Sequence, residues 1–94
     1  MSDPVVHVES YLNQAGGETL RERVNELLRL HPAALVLDFS GTKLVNSIGV
    51  SFLLEIIEAA QREKTPLEFT GVSADIGDLF GLLGISARVP VKAG

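Results

Sequence analysis

The chain contains no cysteine, which excludes disulfides, thiolate zinc sites and cysteine nucleophiles together. Aromatic residues make up only 5% of it, too few to build stacking platforms for single-stranded nucleic acid. Basic residues are outnumbered: 8 Lys and Arg stand against 12 Asp and Glu, for a net charge of −4. No basic run exceeds a pair, and a phosphate-backbone footprint needs clustered Lys and Arg. Nucleic acid is therefore not an expected partner. The longest apolar run, "AALVL", falls far short of the ~20 residues a membrane span requires, so no direct membrane insertion is expected. The opening "MSDPVVHVES" lacks the basic start and apolar core of a signal peptide. A cytoplasmic location is the expectation.

What is present describes a globular protein. Apolar residues are 46% and charged residues 21%, an ordinary balance. Residues 1–94 are expected to form one domain, burying roughly 60–65% of its unfolded surface. "VVHVE" (5–9) is short and β-branched, which reads as a strand. "SYLNQAGG" reads as a loop with Gly16 and Gly17 at its flexible tail. Residues 18–30 carry Leu20, Val24, Leu27 and Leu28 at helical spacing. The pair His31-Pro32 ends that helix, because a residue before proline is pushed out of helical conformation. "AALVLDFS" (33–40) reads as a strand buried on both faces, as in a parallel sheet with helices on each side. Residues 47–63 predict the longest helix, with Ile48, Phe52, Ile56, Ile57, Ala59 and Ala60 facing inward. "LEFTG" (67–71) predicts a third strand and "ADIGDLFGLLG" (74–84) a glycine-weakened third helix. "ARVPV" allows a last edge strand, since Pro90 cannot donate to a ladder.

The expected fold is α/β: a central, mostly parallel four-stranded sheet flanked by about three helices. Strand–helix–strand crossovers place loops 10–16, 40–47 and 72–75 on one edge of the sheet. That edge is where open α/β sheets meet ligands and partners. Asn13, Asn46, Ser47 and Ser73 are expected to gather there.

Catalysis is not expected. The two histidines, His7 and His31, fall in a strand and at a helix end, and no spacing suggests a metal. Asp75 and Asp78 suit a helix-start dipole match. "NQAGGETL" lacks the lysine and spacing of a phosphate loop. No catalytic residue, metal or cofactor is therefore assigned. Ser47 is singled out for another reason. Either Asn46 or Ser47 can cap the helix that starts there. If Asn46 is the cap, the Ser47 hydroxyl is free, and a phosphate on it would meet the positive end of the helix dipole.

The segment "ALVLDFSGTKLVNSIGVSFLLEIIEAA" resembles the signature of STAS domains, the fold of bacterial anti-sigma factor antagonists. Asp38 ends the strand, Ser47 takes the phosphorylatable place and Gly49 is the following glycine. "SYLNQAGGETLRERV" is similar to the family's upstream loop and first helix, and "TGVSADIGDLFGLLGI" to its third helix. The resemblance implies a regulatory partner switch. An anti-sigma factor that is also a serine kinase binds the domain and phosphorylates Ser47, and a phosphatase resets it. The implied partner-binding residues are Asn13, Asn46, Ser47, Ile48, Gly49, Val50 and Ser73. Asn46 and Asn13 stand where the family usually has aspartate, and Ser10 where it has glycine. The family's extra N-terminal strand looks to be missing, which would leave a sheet edge open to another chain, a homodimer included. The alternative is an unphosphorylated interaction subunit, either of a phospholipid-trafficking ABC transporter or of a stress-sensing complex.

Overall fold

The computed structural model describes residues 3–94. Six strands and three helices follow one another as β1 (Val5–His7), β2 (Tyr11–Leu12), α1 (Gln14–Leu28), β3 (Leu35–Asp38), β4 (Leu44–Val45), α2 (Ser47–Arg62), β5 (Leu67–Val72), α3 (Ala74–Leu82) and β6 (Val91–Ala93), with a 3₁₀ turn at Ile85–Ala87. The main sheet has the order β1-β3-β5-β6 and all its pairs are parallel. A second, two-stranded parallel ladder joins β2 to β4.

The helices pack on one face of the sheet, not on both. Along β3, Leu35, Leu37 and Phe39 are buried while Val36 and Asp38 are only half-buried. The register aligns Val6 with Leu37 and Leu37 with Phe69, so the buried positions form one face. Phe80 of α3 meets Phe39 and Phe69 there, with ring centroids 5.6 and 5.7 Å apart. Residues of α1 and α2 join the same core. The opposite face carries Val5, Val36, Glu68, His7, Asp38 and Thr70. Its polar side chains are paired across strands, His7 with Asp38 and Lys92 with Glu68, so water can cover it at little cost. The run "AALVLDFS" hides this alternation because Val36 is apolar on the outer face.

Three features differ from expectation: the start of α1, the buried stripe of α2 and the position of the last strand. Helix α1 begins at Gln14, not at residue 18, so Gly16 and Gly17 are helical and buried. Contact leaves no free room for a side chain at Gly17 and crowds one at Gly16. A Cβ on Gly17 would lie 2.2 Å from the Phe52 ring, and one on Gly16 would lie 3.0 Å from the Tyr11 carbonyl. In α2 the buried stripe is Gly49, Leu53, Ile56, Ile57 and Ala60. Ile48 is 45% exposed and Phe52 half-buried, because the core stripe runs through 49 and 53. The last strand also lies later than "ARVPV": residues 85–87 form the 3₁₀ turn, and β6 starts only after Pro90.

Candidate functional site at the start of helix α2

All three helices begin at the carboxyl edge of the sheet, and each is capped by a polar residue singled out from sequence. Asn13 Oδ1 accepts from the Gly16 N–H at 3.0 Å. Asn46 Oδ1 accepts from the Gly49 N–H at 2.8 Å, and Ser73 Oγ accepts from the Ile76 N–H at 3.3 Å. Such caps occupy amides that a helix leaves open at its start.

Because Asn46 is the cap, Ser47 becomes the first residue of α2. It is exposed. Its carbonyl accepts from Ser51 Oγ at 3.2 Å, whereas its hydroxyl makes no hydrogen bond to any described residue. No acidic side chain lies in the first turn of α2, so its positive dipole end is not neutralised locally.

The β2–β4 ladder holds this start in place. The N–H groups of Lys43 and Leu44 donate to the Ser10 carbonyl at 2.8 and 3.2 Å, and Asn46 N–H donates to the Leu12 carbonyl at 3.1 Å. Gly49 is buried against the same strand: a Cβ there would fall 2.1 Å from the Leu12 carbonyl oxygen. Asn46 Nδ2 reaches the Tyr11 hydroxyl at 3.5 Å. Loops 10–16 and 40–47 are thus sewn together around Asn13, Asn46 and Ser47.

The ladder also presents an apolar surface. Tyr11 and Leu44 are register partners and are 46% and 61% exposed, beside Ile48 at 45%. Ile48 also lines a groove between α1 and α2, with Gln14, Arg21, Ser51, Phe52 and Glu55. The Arg21 guanidinium lies 5.0 Å from the centroid of the Phe52 ring and bonds Glu55 at 3.3 Å. Val50 is half-buried against the core. Ser73 shares the sheet edge but lines a different groove, with Val72, Gly77, Asp78 and Ser86. Tyr11, Leu44 and Arg21 escaped sequence reading. Tyr11 and Leu44 sit in segments read as loops, and only their pairing across 33 positions makes them neighbours.

Asp38 shapes the loop that leads to Ser47. Its carboxylate accepts from the Ser40 N–H at 2.9 Å, from Ser40 Oγ at 3.1 Å and from His7 Nδ1 at 2.9 Å. Its pKa lies below the ordinary aspartate value, mainly through the Ser40 backbone N–H, with burial opposing. Gly71, at φ +66°, leaves the room this turn needs, since a Cβ there would lie 2.8 Å from Asp38 Oδ1 and from Ser40 N. His7 is engaged with Asp38, and His31 lies 3.9 Å from Glu63. Among the described residues no three His, Asp or Glu side chains gather to hold a metal, and no described helix is long and apolar enough to cross a membrane.

The profile of the family described as "Mlab, STAS domain" matches residues 1–90. No curated protein matches the chain. Solved structures share its fold. The STAS domain of a SulP transporter from Vibrio cholerae superposes with a TM-score of 0.80 at 18% identity, covering 95% of this chain and 71% of that one. The anti-sigma factor antagonist SpoIIAA in its unphosphorylated form gives 0.74 at 12%, covering 100% and 82%. A chain of the stressosome, a signal integration and transduction hub, gives 0.69 at 23%, covering 100% and 84%. With the family profile spanning nearly its whole length and the helices, sheet and capped edge in place, the chain belongs to the STAS family.

Proposed function

We propose that this chain is a non-enzymatic regulatory domain of the anti-sigma antagonist kind, docking a partner protein on the surface around the start of α2. Phosphorylation of Ser47 by that partner, a serine kinase acting as anti-sigma factor, releases it, and a phosphatase restores it. The observation that carries this reading is the Ser47 hydroxyl: exposed, unbonded among the described residues, and set beside exposed Tyr11, Leu44 and Ile48. Since Asn46 supplies the cap, a phosphate on Ser47 leaves the helix start intact. The dianion would sit against an apolar docking surface, where desolvation opposes binding, and the open dipole of α2 would tolerate it. Asn13 and Asn46 hold this surface in shape through their caps, and Ser73 caps α3 on the same sheet edge beside a separate groove that a partner reaching along the edge would also meet.

A second reading has support of its own in the family description, which names Mlab. There the same surface docks a subunit of a phospholipid-trafficking ABC transporter without phosphorylation. One experiment separates the two. The purified protein and its Ser47→Ala variant are incubated with a serine kinase of the anti-sigma factor type from the same organism and ATP, then weighed by intact mass. The switch predicts a single phosphate on the wild type and none on the variant. An unmodified wild type, or phosphate that persists in the variant, removes Ser47 as acceptor.

A further inference from the structure

The main sheet has two edges, β1 and β6, and they are finished differently. β6 follows Pro90, carries Lys92 and meets β5 through an irregular register. Proline, lysine and irregularity are features that blunt an edge. β1 pairs regularly with β3 through Val5, Val6 and His7. Its bonds to β3 include the Pro4 carbonyl and the Val8 N–H. Backbone groups of alternate residues point to opposite sides of a strand. The N–H and C=O groups of Val5 and His7 therefore point outward, with no described strand beside them. Along this edge runs a groove between β1 and α1, lined by Val5, His7, Glu9, Gly16, Thr19 and Arg23 among others.

An extended backbone is the ligand that satisfies such an edge. We propose that this ligand is β1 of a second copy of the chain, paired antiparallel about a twofold axis at His7, so that two sheets join into one of double width. The edge is complementary to itself in two ways. On the helix-bearing face this register sets Val6 against Val8 of the second copy. Both valines are buried in the protomer core, so the apolar row continues across the axis. The charges match as well. Glu9 lies at the carboxyl end of β1, and its carboxylate sits beside Gly16 in the first turn of α1. Arg23 stands seven residues further down the helix, about 10 Å away, at the level of Val5. The twofold axis exchanges these ends, so each Glu9 faces Arg23 of the other copy. This surface shares no residue with the Ser47 surface, and the two proposals stand or fall separately.

Sedimentation of the full chain from micromolar to millimolar concentration tests it. The wild type is expected to form a dimer, and His7→Pro, which removes an outward N–H, a folded monomer by circular dichroism. Glu9→Arg and Arg23→Glu should each raise the dimer Kd about tenfold, and the double variant should recover most of the loss. Because the chain has no cysteine, cross-linking reads the register directly. On oxidation His7→Cys should form a covalent dimer, its Cα atoms meeting at about 5.5 Å. Val5→Cys should not, its two copies standing roughly 13 Å apart. A wild type that stays monomeric throughout overturns the proposal. So does a dimer that links through position 5 as readily as through position 7, or one whose charge variants fail to compensate.

Discussion

At the scale of single residues, neighbouring small polar side chains divide the labour. Asn46 holds the helix and Ser47 is left free. Asn46→Ala is accordingly expected to cost about 1 kcal/mol, read as a drop in melting temperature of about 4–8 °C. Ser47→Ala and Ser47→Asp should shift it by no more than about 3 °C, as exposed substitutions do. A large loss in either Ser47 variant would make the hydroxyl a structural cap. Asp38 gives a second residue-level expectation. Its folded pKa is lowered, so its contribution is fully present above the ordinary carboxylate pKa and lost as pH falls through the lowered value. Urea unfolding of the wild type and Asp38→Asn from about pH 6 to about pH 2 should show a stability gap that closes on acidification. A gap independent of pH would contradict the role given to the Ser40 and His7 bonds.

At the scale of elements, termini and close approaches decide the outcome more than propensity does. Helix α2 ends in a Schellman motif: Thr65 N–H bonds the Ala60 carbonyl, Lys64 N–H bonds that of Gln61, and Lys64 takes φ 54°. Such a left-handed position favours glycine, so Lys64→Gly is expected to stabilise the protein by about 1 kcal/mol. An unchanged or lowered unfolding midpoint would count against the assignment. At the other end, Gly49→Ala should cost about 2–3 kcal/mol, because its Cβ meets backbone and not a flexible side chain. Elements with a clean period were legible. The buried residues Leu20, Val24, Leu27 and Leu28 of α1 stand where their spacing puts them. Gly16 and Gly17 misled, since glycine reads locally as a break, yet here Phe52 packed on Gly17 and the Tyr11 carbonyl close to Gly16 favour it inside a helix. The β2–β4 ladder was not legible. Two-residue strands carry no period, and only chain crossing reveals their pairing.

At the scale of the whole molecule, a two-layer arrangement leaves one sheet face to water and gathers all helix starts on one edge. Topology alone placed Asn13, Asn46, Ser47 and Ser73 on that edge. That Ser73 lines a groove with Asp78 and Ser86, whereas Ile48 lines a separate one between α1 and α2, depended on packing that no local pattern encodes. The single core means that Ile56→Asp, which buries an unpaired charge, should leave no cooperative unfolding transition. A cooperative melt near that of the wild type would deny Ile56 its central place. The claim on which function rests is that the surface around Ser47 binds a partner and that negative charge there opposes it. Calorimetric titration of the purified partner kinase into the wild type and into Ser47→Asp tests this most directly. The account predicts affinity weaker by about 100-fold for Ser47→Asp, or about 2.7 kcal/mol, with the unfolding midpoint preserved. Equal affinity for the two proteins would contradict it.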